Sequence, residues 1–149
     1  MSGDAPTVII DASVAIKFVV EEQDSDRALA LALRHTLLVP AIFWTECANI
    51  LFKKVKTGEL PADAAPAAWS GLRQFGITTA RQTREMDDDM FVLSSQLRHP
   101  AYDCAYLALA RATGLPFHSA DKRLLALLGR ARVTGIDAHA LSAFDARPT

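Results

Sequence analysis

The strongest constraint on the fold is a repeated change of hydrophobic period. Short apolar runs (TVII at 7–10, LLVPAI at 37–42, ITTARQ at 77–82, LPFHSA at 115–120 and VTGIDA at 133–138) alternate with longer stretches of helical period. Period-2 or continuous apolar runs this short read as strands, and the longer stretches read as helices. Strand–helix alternation of this kind predicts a central, mostly parallel sheet with helices on both faces, an α/β fold. The helical stretches are SVAIKFVVEE (13–22), DRALALALRH (26–35), FWTECANILFKKVKTGEL (43–60), PADAAPAAWSGLRQFG (61–76), REMDDDMFVLSSQLRH (84–99), AYDCAYLALARATG (101–114) and DKRLLALLGRAR (121–132). Pro61 is expected in the first turn of its helix, and Pro40 at a strand end or a sheet edge. HALSAFDARPT reads as a helical turn and a loose tail. No repeat or long linker interrupts the pattern, so 1–149 is expected to be one domain with a core of about 8–136.

At 149 residues the chain is long enough for a hydrophobic core without disulfides or a structural metal. A net charge of −1 excludes an overall electrostatic pull toward nucleic acid, so any such contact needs a local basic patch. Cys47 and Cys104 lie inside apolar helical patterns and read as buried free thiols, which suits a reducing compartment. MSGDAPT lacks the charged start and apolar run of a signal peptide, and no stretch approaches the ~20 apolar residues of a membrane span. The expected location is the cytoplasm, with no membrane contact.

Ligands of open α/β folds bind outside the carboxyl ends of the strands. Four acids sit at element starts, in surroundings that are otherwise apolar. Asp11 follows the VII of the first strand, Glu46 follows VPAI, Asp103 opens the AYDCAYLALA helix, and Asp121 follows LPFHSA. Singly, Asp11 and Asp121 suit helix N-caps and Asp103 suits a helix dipole. Glu46, among Trp44, Cys47, Ile50 and Leu51, fits a purely structural role least well. Together, four acids without an adjacent base would repel one another. A divalent cation resolves that conflict, and hard oxygen ligands select Mg²⁺ or Mn²⁺.

Other chemistries fit less well. Asp87, Asp88 and Asp89 of MDDDM point about 100° apart on a helix and cannot share an ion; they read as a solvated helix start. The histidines lack zinc spacing, and His118 reads as a strand-packing or site-edge residue. There is no P-loop, GxGxxG or GxSxG. An acyl-phosphate on Asp11 would call for a second acid two residues on, where Ser13 stands.

VIIDASVAIKF, VPAIFWTECANIL and AYDCAYLALARATGLPFHSADKRLL together resemble the PIN-domain nucleases, and more narrowly the VapC-like toxins of bacterial type II toxin–antitoxin pairs. The resemblance runs from about Val8 to Ile136. It implies a PIN-like α/β fold with an acidic quartet at Asp11, Glu46, Asp103 and Asp121, supported by the hydroxyls of Ser13 and Ser119. Cys104 stands where the family more often has Ala. The implied activity is metal-dependent endoribonuclease cleavage of RNA with Mg²⁺, or Mn²⁺ in its place. Asp11 and Asp103 would be the central ligands, Glu46 a holder or deprotonator of water, and Asp121 the completion of the cluster. The implied partners are an RNA substrate, a cognate antitoxin and a second copy in a homodimer. Lys53, Lys54, Lys122 and Arg123 are candidate RNA contacts, with a solvated face as the alternative. Trp44 is expected in core packing rather than base stacking. A housekeeping RNA-processing nuclease, a non-cleaving RNA- or protein-binding module, and a phosphotransfer domain using Asp11 stay open.

Overall fold

A computed structural model describes residues 3–149. Met1 and Ser2 of the MSGDAPT start lie outside the described residues. A five-stranded sheet carries the order β3-β2-β1-β4-β5. Its strands are β1 (Thr7–Ile10), β2 (Thr36–Val39), β3 (Thr78–Thr79), β4 (Phe117–Ser119) and β5 (Ala138–Ala140). Every pairing is parallel. The helices are α1 (Ala12–Ala15), α2 (Ser25–Arg34), α3 (Ile42–Lys56), α4 (Ala65–Arg73), α5 (Arg84–Leu97), α6 (Ala101–Thr113) and α7 (Lys122–Ala131). None is long and apolar enough to cross a membrane among the described residues.

Central β1 shows why both sheet faces are covered. Val8 and Ile10 point one way and Ile9 the other, and all are at most 2 % exposed. From β1 the chain adds β2 and β3 on one side and β4 and β5 on the other, so the strand order reverses between β1 and β4. Open α/β sheets form a crevice at such a switch point. Ile10 pairs with His118, which places Asp11 and Ser119 side by side at its mouth.

Several boundaries differ from expectation. The helix after Asp11 is only α1 followed by a 3-10 turn at Ile16–Phe18. Pro66, not Pro61, occupies the first turn of α4; Pro61 accepts a turn bond from Ala64 instead. Pro40 lies beyond the end of β2, which is an interior strand, so the strand-end reading holds. The last strand spans Ala138–Ala140 rather than 133–138, because the chain turns at Gly135 (φ +79°) before it runs beside β4. The core also continues past 136: Leu141 is 1 % exposed and Phe144 packs against it. Cys47 and Cys104 are buried and free.

Candidate active site

Asp11, Glu46, Asp103 and Asp121 all line one pocket of about 190 Å³, together with Ala12, Ser13, Ile50 and Tyr106. Four elements supply the acids. Asp11 ends β1 in extended backbone (φ −96°, ψ 175°) and caps α1 by accepting from the Val14 N–H. Asp121 follows β4 and caps α7, its Oδ1 accepting from the backbone N–H of Arg123 at 3.0 Å and Leu124 at 3.1 Å. The capping roles and the pocket position therefore coexist at both residues. Glu46 projects from the second turn of α3, one turn before Ile50. Asp103 lies in the first turn of α6, and Tyr106 stands three residues on, over the same helix face.

Each carboxylate is held by the protein. Ser13 Oγ donates to Asp11 Oδ1 at 2.5 Å, and Ser119 Oγ donates to Asp11 Oδ2. The two serines also join the strand ends, since Ser13 Oγ accepts from Ala120 N and Ser119 Oγ from Asp121 N. Tyr106 donates its hydroxyl to Glu46 Oε1 at 2.6 Å. His99 Nε2 donates to Asp103 Oδ2 at 2.5 Å. One oxygen each of Glu46, Asp103 and Asp121 is left without a protein partner among the described residues.

The electrostatics come from burial and like charge. Burial pushes the Asp11 carboxyl up to about 6; the Ser119, Ser13 and Val14 hydrogen bonds pull it down, and the Asp103 charge adds to the rise. Glu46 is also raised, first by burial, with Tyr106 opposing and Asp103 and Asp11 reinforcing. Burial and the Glu46 charge raise the Tyr106 hydroxyl, so it stays a donor. No Lys or Arg lines the pocket. The donor set is all hard oxygen with an excess of negative charge, and this fits Mg²⁺ or Mn²⁺. Among the described residues no three His, Cys, Asp or Glu side chains close on a common point; the acids line the pocket while tied to separate neighbours.

Sequence reasoning missed Tyr106 and His99. Spacing held a signal for both: Tyr106 is i+3 and His99 is i−4 from Asp103. It held none for the sixty-residue reach from Tyr106 to Glu46.

The candidate RNA contacts separate. Lys54 is bound to Glu22 and Glu59, two turns along α3 from Glu46, so its charge is committed to structural ion pairs. Lys53 and Arg123 are exposed. Lys122 borders a smaller adjoining hollow with Lys17 and Ser119. Trp44 is half-buried and packs against the core, meeting Phe43 edge to face at 5.0 Å, while Arg73 covers its ring. The MDDDM acids diverge as expected: Asp87 accepts from Gln82, and Asp89 pairs with Arg111. His118 is a buried strand residue, outside the pocket lining.

The model of the PIN domain family matches residues 8–129, which includes all four acids. The chain belongs to the PIN-domain family. Among solved structures, this PIN domain is similar to PAE2754 from Pyrobaculum aerophilum, at 20 % identity and a TM-score of 0.65 over 93 % of this chain and 91 % of that one. It is also similar to a toxin–antitoxin complex from Klebsiella pneumoniae, at 15 % identity and a TM-score of 0.57 over 87 % of this chain and 94 % of that one. At these identities the likeness is one of fold. No curated protein matches.

Proposed function

We propose that this PIN domain is a divalent-metal-dependent endoribonuclease, the toxin of a type II toxin–antitoxin pair. The observation that carries the reading is the meeting of Asp11, Glu46, Asp103 and Asp121 in one pocket that no Lys or Arg lines. Asp11 and Asp103 would hold Mg²⁺ or Mn²⁺, with Glu46 and Asp121 completing the set. The bound ion would supply charge to lower the pKa of water and to stabilise the phosphate. Ser13 and Ser119 fix the Asp11 carboxylate, and His99 fixes Asp103, so that neither rotates away. Tyr106 holds one oxygen of Glu46 and leaves the other to take a proton from the attacking water. The water oxygen then bonds to phosphorus as a P–O bond of the strand breaks.

The toxin role is supported by the three motif blocks and by the fold likeness to a chain of a toxin–antitoxin complex. It implies an antitoxin partner and a homodimer. A non-cleaving RNA-binding PIN fold is the competing reading, and the separate tethering of the four acids favours it.

The deciding experiment incubates purified protein with total RNA, with Mg²⁺, with Mn²⁺ or with chelator, beside Asp11→Asn. Cuts that need metal and vanish in the variant are expected. Folded, antitoxin-free protein that cuts with neither metal would favour the binding module. Cuts surviving in Asp11→Asn would remove Asp11 from the site.

A further inference from the structure

An aromatic and cationic cluster lies on the far flank of α3 from the acid pocket. The Arg73 guanidinium, at the end of α4, sits 3.9 Å from the Trp44 ring centroid and 5.3 Å from that of Trp69. The two indoles meet edge to face, at 5.8 Å and 73°. Trp44 Nε1 donates to Thr79 Oγ1 at 3.1 Å, which pins the indole to the end of β3. Arg73 is therefore held in place by stacking.

Its donors are not used. Several other basic residues are committed: Lys17 and Lys54 to Glu22, Arg111 to Asp89, and Arg27 and Arg34 to carbonyls of the C-terminal segment. Arg73 is exposed and makes no hydrogen bond or ion pair among the described residues, and the same is true of Arg81 just beyond β3. A guanidinium with one face on an indole keeps its N–H edge outward, in the fork geometry that matches a phosphate.

The place is also right. Trp44 and Glu46 are two residues apart on the first turns of α3, so they project from nearly opposite sides of it. Glu46 faces the acid pocket and Trp44 faces α4 and β3. Thr79 ends β3 in register with Val39, at the same carboxyl edge of the sheet as Asp11 and Asp121. A polyanionic strand entering a pocket of four acids needs cations nearby: Lys122 and Arg123 follow Asp121 at the mouth, and across α3 Arg73 is an unpaired cation braced on aromatic rings.

We propose that Arg73, braced on Trp44 and Trp69, docks a backbone phosphate of the RNA strand that leaves the acid pocket over the first turn of α3. The substrate class rests on the ribonuclease reading above. Both tryptophans of the chain belong to this cluster, so tryptophan emission reports on it alone.

The test titrates a mixed-sequence single-stranded RNA 20-mer into metal-free protein and tracks tryptophan emission. A saturable change is expected. Arg73→Met keeps an apolar stem on the indoles and removes the fork. It should weaken binding about tenfold and lower the slope of log K against log salt by about 1. Arg73→Lys should fall between. With metal present, Arg73→Met should raise KM and leave kcat unchanged. Asp11→Asn should lose cleavage and keep RNA binding. Wild-type protein that does not bind the 20-mer, emission that ignores it, or an Arg73→Met variant with unchanged affinity and salt slope overturns the docking site. A fall in melting temperature alone would assign Arg73 to packing. If Arg73→Met weakens binding but no metal-dependent cleavage exists, docking stands and the nuclease reading falls. If cleavage depends on Asp11 but is blind to Arg73, the reverse holds.

Discussion

Asp11 is asked to stay a carboxylate where burial opposes it. Unfolded, it titrates near 3.8; folded, burial carries it to about 6. Between those values the folded state binds the extra proton. Stability therefore falls as pH rises through that window and stays low above it. Asp11→Asn removes the ionisation. In chelator, the variant should melt several degrees above wild type at pH 7.5, a gain of about 3 kcal/mol, and the gain should shrink toward pH 4. Thermal melts at the two pH values check this, and an unchanged gap would mean that Asp11 is not desolvated. His118 moves the other way, since burial and then His139 and His35 hold it down to about 4. That contribution is common to both proteins and cancels in the comparison. The Asp11 position at the end of the VII run is legible in sequence; its partner Ser119, 108 residues away, is legible only through the family pattern.

At the scale of elements, the site is built from ends. Strand ends supply Asp11 and Asp121, and helix starts supply Glu46 and Asp103. An N-cap and a metal ligand ask for the same residue type, which is why sequence alone does not choose between them. Two variants of Asp121 separate the duties. Asp121→Asn keeps an acceptor for Arg123 and Leu124 and should melt close to wild type. Asp121→Ala should lose about 1 kcal/mol. Both should cut RNA far more slowly if Asp121 helps hold the ion. Full activity in Asp121→Asn would reduce it to a cap. Boundaries are least legible where local cues are doubled: Pro61 and Pro66 both suit a helix start, and only packing chooses the second.

At the scale of the whole molecule, the C-terminal segment closes over the β4–β5 side of the sheet. Arg27 donates to the Phe144 carbonyl, and Arg34 donates to those of Asp145 and Arg147 while lying over the Phe144 ring. Phe144 meets His35 and His118 edge-on, and His118 stacks on His139 at 5.0 Å. His118 Nδ1 is buried without a partner among the described residues. Phe144→Ala should destabilise the protein by about 2 kcal/mol and admit water to the histidines. His118 should then titrate closer to 6.5 than to 4, as NMR of the imidazole protons would show. An unmoved His118 would mean that other neighbours keep it dry. In sequence this segment reads as a loose tail, because its anchors lie more than a hundred residues upstream.

By itself the sequence determined the α/β class, the parallel sheet, the approximate elements and the four acids that line the pocket. All of these are written in local periods and in residues at element ends. Only the tertiary structure decided that Tyr106 holds Glu46, that Glu22 takes Lys54 away from the solvated face, and that Arg73 rides on two tryptophans. Those pairings depend on the strand order β3-β2-β1-β4-β5, which brings distant segments together and leaves no trace in the spacing of either one.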